Sequence, residues 1–66
     1  MKELRLEAGL SQSQLADLAK VNRLTVHRAE SGEPVQDTKA YAIVQALARR
    51  LGRKIRMEEV EGLNIL

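Results

Sequence analysis

Residues 11–32 read SQSQLADLAKVNRLTVHRAESG, and this stretch decides how the chain folds. Ser11 with Gln14 three residues later is the pattern of a capping box, in which the two side chains satisfy free backbone groups at a helix start. Residues rich in alanine and leucine follow, as far as a break at residues 20–22. The pattern predicts a short helix that opens at Ser11 and ends at this break.

A second helix is predicted directly after the break. Asn22 is of the residue type that caps helix starts, and Gly32 is of the type that follows helix ends. The second helix therefore runs from Arg23 to about Ser31. Two short helices joined by about three residues, with the apolar Val21 in the turn, form a helix-turn-helix motif.

The second helix has one apolar face and one unusual exposed face. At about 100° per residue, Val26 and Ala29 fall on the side that packs on the preceding helix. The opposite side and the N-terminal edge together carry five residues, none of them acidic: Arg23, Leu24, His27, Arg28 and Ser31. A guanidinium can bond guanine O6 and N7, and an apolar side chain can touch a thymine methyl. This face is typical of a helix that reads the DNA major groove, and an ordinary solvated face is the alternative.

Outside this stretch, the sequence predicts two further helices. One covers residues 2–8 and ends at Gly9, and the other follows a loop at residues 33–36, is capped by Asp37 and ends before Gly52. On the longer helix, one face is predicted to carry Tyr41, Val44, Leu47, Ala48 and Leu51. The fold class is therefore all-α, a compact bundle of four to five short helices over residues 1–52.

Residues 53–66 form a C-terminal extension with mixed signals. Glu58 to Val60 fit a short fifth helix, whereas Ile55 with Met57 and Leu63 with Ile65 alternate like strands. The apolar residues Val60, Leu63, Ile65 and Leu66 are predicted to build a homodimer, because exposed apolar ends are rare in monomers. Helices would pack, or strands would pair, across a two-fold axis. Folding back on the core is the alternative.

Composition excludes several classes of protein. A chain of 66 residues is one domain, and without cysteine it has no disulfide framework and no cysteine-based zinc site. The single histidine, His27, has no second ligand pair and no catalytic constellation around it, so no metal, no cofactor and no enzyme activity are expected. The charged start and the lack of a long apolar run predict a protein of the cytoplasm rather than of the membrane.

Positive charge is concentrated in one segment. The net charge is only +2, but residues 49–56 carry five positive charges. This run is interpreted in two ways: as a set of phosphate contacts beside a DNA site, or as a solvated helix end that favours cations.

Several segments resemble the phage repressor/Cro-type helix-turn-helix family, in the same order and with the same gaps. These segments are Arg5–Gln12, Leu15-Ala16, Val26, Glu30–Gly32 and Ala48–Gly52. The resemblance covers residues 1 to about 52 and implies a lambda-repressor-like fold. Lys20 departs from the family pattern, which often has glycine there because that residue adopts a left-handed backbone.

The resemblance also implies roles for individual residues. Arg23, Leu24 and Arg28, on the second helix of the motif, occupy the positions that usually read bases in the family. Gln12, Asn22 and Ser31 occupy positions that contact phosphates in the family. Thr25 and His27 occupy positions that make secondary contacts to DNA. Arg5 and Glu30 occupy positions that are often ion-paired in the family, and both are interpreted as structural.

Together these features predict a sequence-specific transcriptional regulator whose partner is double-stranded DNA. The resemblance implies a dimeric repressor that reads a pseudo-palindromic operator and is associated with the nucleoid. The alternative is an antitoxin or another protein-interaction module of the same fold, with a toxin or another protein as partner. A pure interaction module would show a larger apolar patch and little salt-dependent DNA binding.

Overall fold

The structure, a computed structural model, describes residues 1–66. Its helices are α1 (Lys2–Glu7), α2 (Gln12–Ala19), α3 (Arg23–Glu30) and α4 (Asp37–Leu51), and a 3-10 turn follows at Met57–Glu59. Two strands of two residues, β1 (Pro34–Val35) and β2 (Asn64–Ile65), pair in parallel, with Pro34 beside Asn64 and Val35 beside Ile65. The predicted helical bundle with a helix-turn-helix is confirmed, and the small parallel pair is an addition to it.

The helix-turn-helix forms as its local sequence dictates. The Ser11 hydroxyl accepts from the Gln14 amide at 3.1 Å, and the Gln14 side chain accepts from the Ser11 amide at 2.9 Å. Asn22 caps α3 by accepting from the amide of Leu24 at 2.8 Å. Between the helices, Lys20 adopts a left-handed backbone with φ 59° and ψ 42°, which costs a non-glycine residue about 1 kcal/mol.

The core lies where α4 crosses α2 and α3. Its largest fully buried side chains are Leu15, Val26, Ile43, Val44 and Leu47. Small buried residues, Ala16 and Ala19 on α2 and Ala29 on α3, let these helices approach closely. The helix-turn-helix is thereby held as a rigid pair against α4.

Two predictions about α4 were wrong. Asp37 is not the cap, because Gln36 occupies that position and Asp37 is the first residue of the helix. Tyr41 is 55% exposed rather than buried, because it lies about 100° around the helix from Ala40, at the edge of the buried stripe. Ala40 and Ile43, which were not placed on this face, are fully buried instead.

Residues 53–66 fold back on the bundle. Ile55 and Val60 are buried in the core, and the Leu66 amide donates to the Val35 carbonyl at 2.9 Å. The predicted fifth helix is a single 3-10 turn, and the predicted loop at 33–36 contains strand β1. Two-residue strands are too short to show a periodicity in sequence, which explains why this pairing was not predicted. Ile65 and Leu66 remain exposed.

Candidate nucleic-acid interface

The exposed face of α3 is cationic and partly apolar. Arg23, His27 and Arg28 are exposed, and Leu24 among them is 46% exposed. The opposite face is fixed, because Val26 and Ala29 are buried against the rest of the bundle. The one acidic residue of α3, Glu30, is turned away and paired with Arg5. The structure therefore brings the predicted base-reading residues onto one acid-free surface.

All three predicted phosphate contacts already have partners within the protein, and Gln12 is bonded to Glu30. The Asn22 side-chain oxygen caps α3, which leaves its NH2 group free to donate. The Ser31 hydroxyl donates to the His27 carbonyl at 2.9 Å. Because a hydroxyl has one proton, Ser31 donates to a phosphate only if it gives up this bond. Thr25 is half-buried at the edge of the exposed face.

Arg5, Glu30 and Gln12 form a network that joins α1, α3 and α2. The Arg5 Nε donates to Glu30 Oε2, its Nη2 donates to Oε1 at 3.2 Å, and its Nη1 donates to the Leu10 carbonyl at 3.0 Å. The Gln12 side-chain NH2 also donates to Oε1, at 3.1 Å. The side chains of Arg5 and Glu30 are only 10% and 7% exposed, so the pair is shielded from solvent. The network fixes α3 to the start of α2.

The ionisation of Glu30 contributes to stability. Burial by itself raises the pKa of Glu30, but hydrogen bonds from Arg5 and Gln12 and the positive charge of Arg5 outweigh it, so the pKa lies below the ordinary 4.5. A group whose pKa is lower in the folded than in the unfolded state stabilises the fold above its unfolded pKa. That contribution is lost as the pH falls through the folded-state value.

We therefore expect the protein to be less stable in acid, through Glu30. Urea denaturation at pH values from 7 down to 3 is expected to show a free energy of unfolding that falls as the pH passes about 4.5, where Glu30 of the unfolded chain is half protonated. The matched control is Glu30→Gln, which has no carboxyl to titrate and is expected to show a smaller decline. An equal decline in both proteins would contradict this role of Glu30.

A shallow polar concavity lies beside α3 and adds residues that the sequence analysis missed. Its volume is about 190 Å³, and it is lined by Thr25, Arg28, Pro34, Val35, Gln36 and Lys39. Lys39 lies in the first turn of α4, so it places a second cation next to Arg28. The sequence did indicate this placement of Lys39. Lys39 comes soon after the loop at residues 33–36, and that loop directly follows the end of α3.

The basic run at residues 49–56 is at the other end of α4. A helix of 15 residues is about 22 Å long, so this run is far from Lys39 and the α3 surface. Arg50 donates to the Ala8 carbonyl at 3.1 Å, Arg53 pairs with Glu7 at 3.4 Å, and Arg56 pairs with Glu59 at 3.2 Å. These contacts favour the interpretation as a solvated helix end.

The fold offers no cluster of metal ligands. No group of three or more histidine, cysteine or acidic side chains is arranged to hold a metal ion. None of the helices combines the length and the apolar character needed to cross a membrane.

Comparison with known proteins agrees with this geometry. Residues 1–57 match the helix-turn-helix family model of the Cro/C1 type, and the chain therefore belongs to that family. This is a family of DNA-binding domains and not of enzymes, so the protein is a DNA-binding transcriptional regulator. Comparisons with curated proteins and with solved structures gave no match.

Proposed function

We propose that the protein represses transcription by occupying a specific operator, with α3 in the DNA major groove. The observation that carries this proposal is the acid-free face of α3, on which Arg23, Leu24 and Arg28 are exposed together. The two arginines supply bidentate donors for guanine, and Leu24 supplies an apolar contact for a thymine methyl. A bound repressor excludes RNA polymerase from the same DNA.

Contacts to the sugar-phosphate backbone set the register of α3 in the groove. We assign them to Gln12 at the start of α2, to Asn22, and to Lys39 beside the concavity. Backbone amides in the first turn of a helix lack partners within the helix and favour an anion, which suits the position of Gln12. Thr25, His27 and Ser31 flank this surface and make secondary contacts.

Arg28 is expected to determine specificity at one base pair. Replacing Arg28 by alanine is expected to reduce the binding free energy for the preferred duplex by about 1–3 kcal/mol and to relax the base preference at one position. Affinity is measured by fluorescence anisotropy on duplexes carrying each base at each position. The control is Arg49→Ala, which removes the same charge from the exposed far end of α4. If the loss of Arg28 weakens binding to all duplexes equally, Arg28 contacts a phosphate and does not read a base.

We also propose that the protein binds its operator as a homodimer, through β2 and the residues around it. Ile65 and Leu66 are exposed there, Leu66 at 81%. Strand β2 lies next to the end of α3, because the Asn64 side chain donates to the Gly32 carbonyl at 3.4 Å. A two-fold axis near β2 would therefore place two copies of α3 side by side, as a pseudo-palindromic operator requires.

Polar substitution at the end of the chain is expected to weaken such a dimer. Ile65→Ser with Leu66→Ser is expected to raise the dimer dissociation constant at least about tenfold, since it removes roughly 2 kcal/mol or more of apolar burial. Sedimentation equilibrium measures the change, and Leu6→Ser, at an exposed leucine on α1, is the control. Substitution is used rather than truncation of the chain at Val60, because Val60 is part of the core and its removal would also disturb the fold. A variant that dimerises as strongly as the natural protein would refute this interface.

A further inference from the structure

The side-chain amide of Gln12 makes a hydrogen bond within the protein through only one of its N–H groups. Its Nε2 donates to Glu30 Oε1 at 3.1 Å, and this is the one hydrogen bond that its side chain makes. An amide NH2 group carries two protons, so one N–H of Gln12 remains free. The Glu30 carboxylate is itself fixed by Arg5, through bonds to both of its oxygens.

We propose that Glu30 is a positioning residue for DNA binding, because its carboxylate orients the Gln12 amide so that the second N–H faces a backbone phosphate. This inference rests on the proposed phosphate contact of Gln12 and extends it. A carboxylate and a phosphate both only accept hydrogen bonds. The amide must therefore keep its NH2 end toward Glu30, and that same end is the one that a phosphate needs.

Orientation matters because a free glutamine side chain has many rotamers. Immobilising such a side chain on binding costs enough to lower affinity about two- to tenfold, and a side chain that is already ordered avoids this loss. Gln12 is half-buried rather than fully exposed, and its tether to Glu30 restricts it before DNA arrives. The network that holds α1, α2 and α3 together thus also prepares a contact with DNA.

The negative charge of Glu30 does not oppose a nearby phosphate. Arg5 neutralises it at contact distance, and both side chains are almost entirely shielded from solvent. Burial alone favours the protonated form, but the bonds from Arg5 and Gln12 hold the pKa of Glu30 below its ordinary value. Glu30 therefore remains an ionised acceptor at neutral pH, and Gln12 cannot turn its oxygen toward it.

The test removes the tether while it keeps the fold and the net charge. The variant Arg5→Met with Glu30→Leu replaces a neutral pair by apolar residues of similar size, a change that commonly preserves stability. It is compared with the natural protein, each with Gln12 or with Gln12→Ala. The probe is the highest-affinity duplex selected from a random library, prepared with a neutral methylphosphonate at each backbone position in turn.

We expect one backbone position at which methylphosphonate weakens binding of the natural protein but not of Gln12→Ala. The Arg5→Met/Glu30→Leu variant is expected to bind the unmodified duplex about two- to tenfold more weakly and to be insensitive at that same position. Adding Gln12→Ala to this variant is expected to cost no further affinity, as for coupled residues in a double-mutant cycle.

Two different failures are distinguishable. If the folded Arg5→Met/Glu30→Leu variant keeps full sensitivity at the Gln12-dependent phosphate, Glu30 is only structural, and the contact of Gln12 still stands. If no methylphosphonate position has an effect that requires Gln12 in the natural protein, the proposed phosphate contact of Gln12 is wrong. The positioning role of Glu30 is then wrong as well.

A second measurement needs no variant and no DNA. In the NMR spectrum of the natural protein, the Nε2 protons of Gln12 are expected to lie away from their random-coil shifts, because one of them is bonded to the Glu30 carboxylate, and to move as Glu30 titrates. Random-coil shifts for both protons, with no response to that titration, would overturn the proposal.

Discussion

Replacing Arg5 by methionine is expected to lower the free energy of unfolding by about 3–5 kcal/mol, because it leaves the Glu30 carboxylate buried without its partner. The Glu30 side chain is 7% exposed beside Arg5, so the guanidinium supplies much of the solvation that this carboxylate has lost. The Leu10 carbonyl also loses its donor. Small domains are at the lower end of the usual range of about 5–15 kcal/mol of total stability, so a large fraction of the variant is expected to be unfolded. Urea denaturation followed by circular dichroism measures the loss.

The matched control for this prediction is the double replacement Arg5→Met with Glu30→Leu. It removes both charges together, so no buried carboxylate is left unpaired, and most of the lost stability is expected to return. Equal losses in the single and the double variant would show that packing of the Arg5 stem, and not the ion pair, is what matters.

The second large effect is expected in the core. Leu47 on α4 is fully buried in the core, and Leu47→Ala is expected to cost about 2–5 kcal/mol through lost transfer energy and the cavity left behind. Thermal unfolding followed by circular dichroism measures this loss. Since helix formation changes little between leucine and alanine, almost all of the effect comes from packing.

Leu18→Ala is the control for the Leu47 variant. Leu18 is also inside a helix but is 47% exposed, so the same chemical change is expected to cost less than about 1 kcal/mol. Similar losses at both positions would contradict the assignment of the α2–α4 crossing as the centre of the core.

Features that depend on neighbouring residues were predictable from the sequence. The capping box of Ser11 and Gln14 and the cap at Asn22 each follow from two to four consecutive positions, whereas the left-handed turn at Lys20 was implied by the family resemblance. Such rules act within one turn of helix, so the chain itself carries the information. This is why the helix-turn-helix and the exposed face of α3 follow from the order of residues alone.

Features that join distant parts of the chain were not predictable in the same way. The pairing of β1 with β2 joins Val35 to Ile65, thirty residues apart, and it depends on the segment that contains the buried Ile55 and Val60 folding back on the bundle. The hydrogen bond from Gln12 to Glu30 spans 18 positions and depends on how α2 crosses α3. Side-chain periodicity describes one element at a time and is silent about such crossings.

We propose that α3 reads a specific DNA sequence on behalf of a dimeric regulator. The most direct test is selection of duplexes from a random library by the full chain, repeated at two salt concentrations. We predict enrichment of a palindromic consensus whose half-sites are about one helical turn apart, with weaker binding at the higher salt concentration. Failure to enrich any sequence, with only weak and salt-sensitive binding, would contradict the claim that the exposed face of α3 determines where this protein binds.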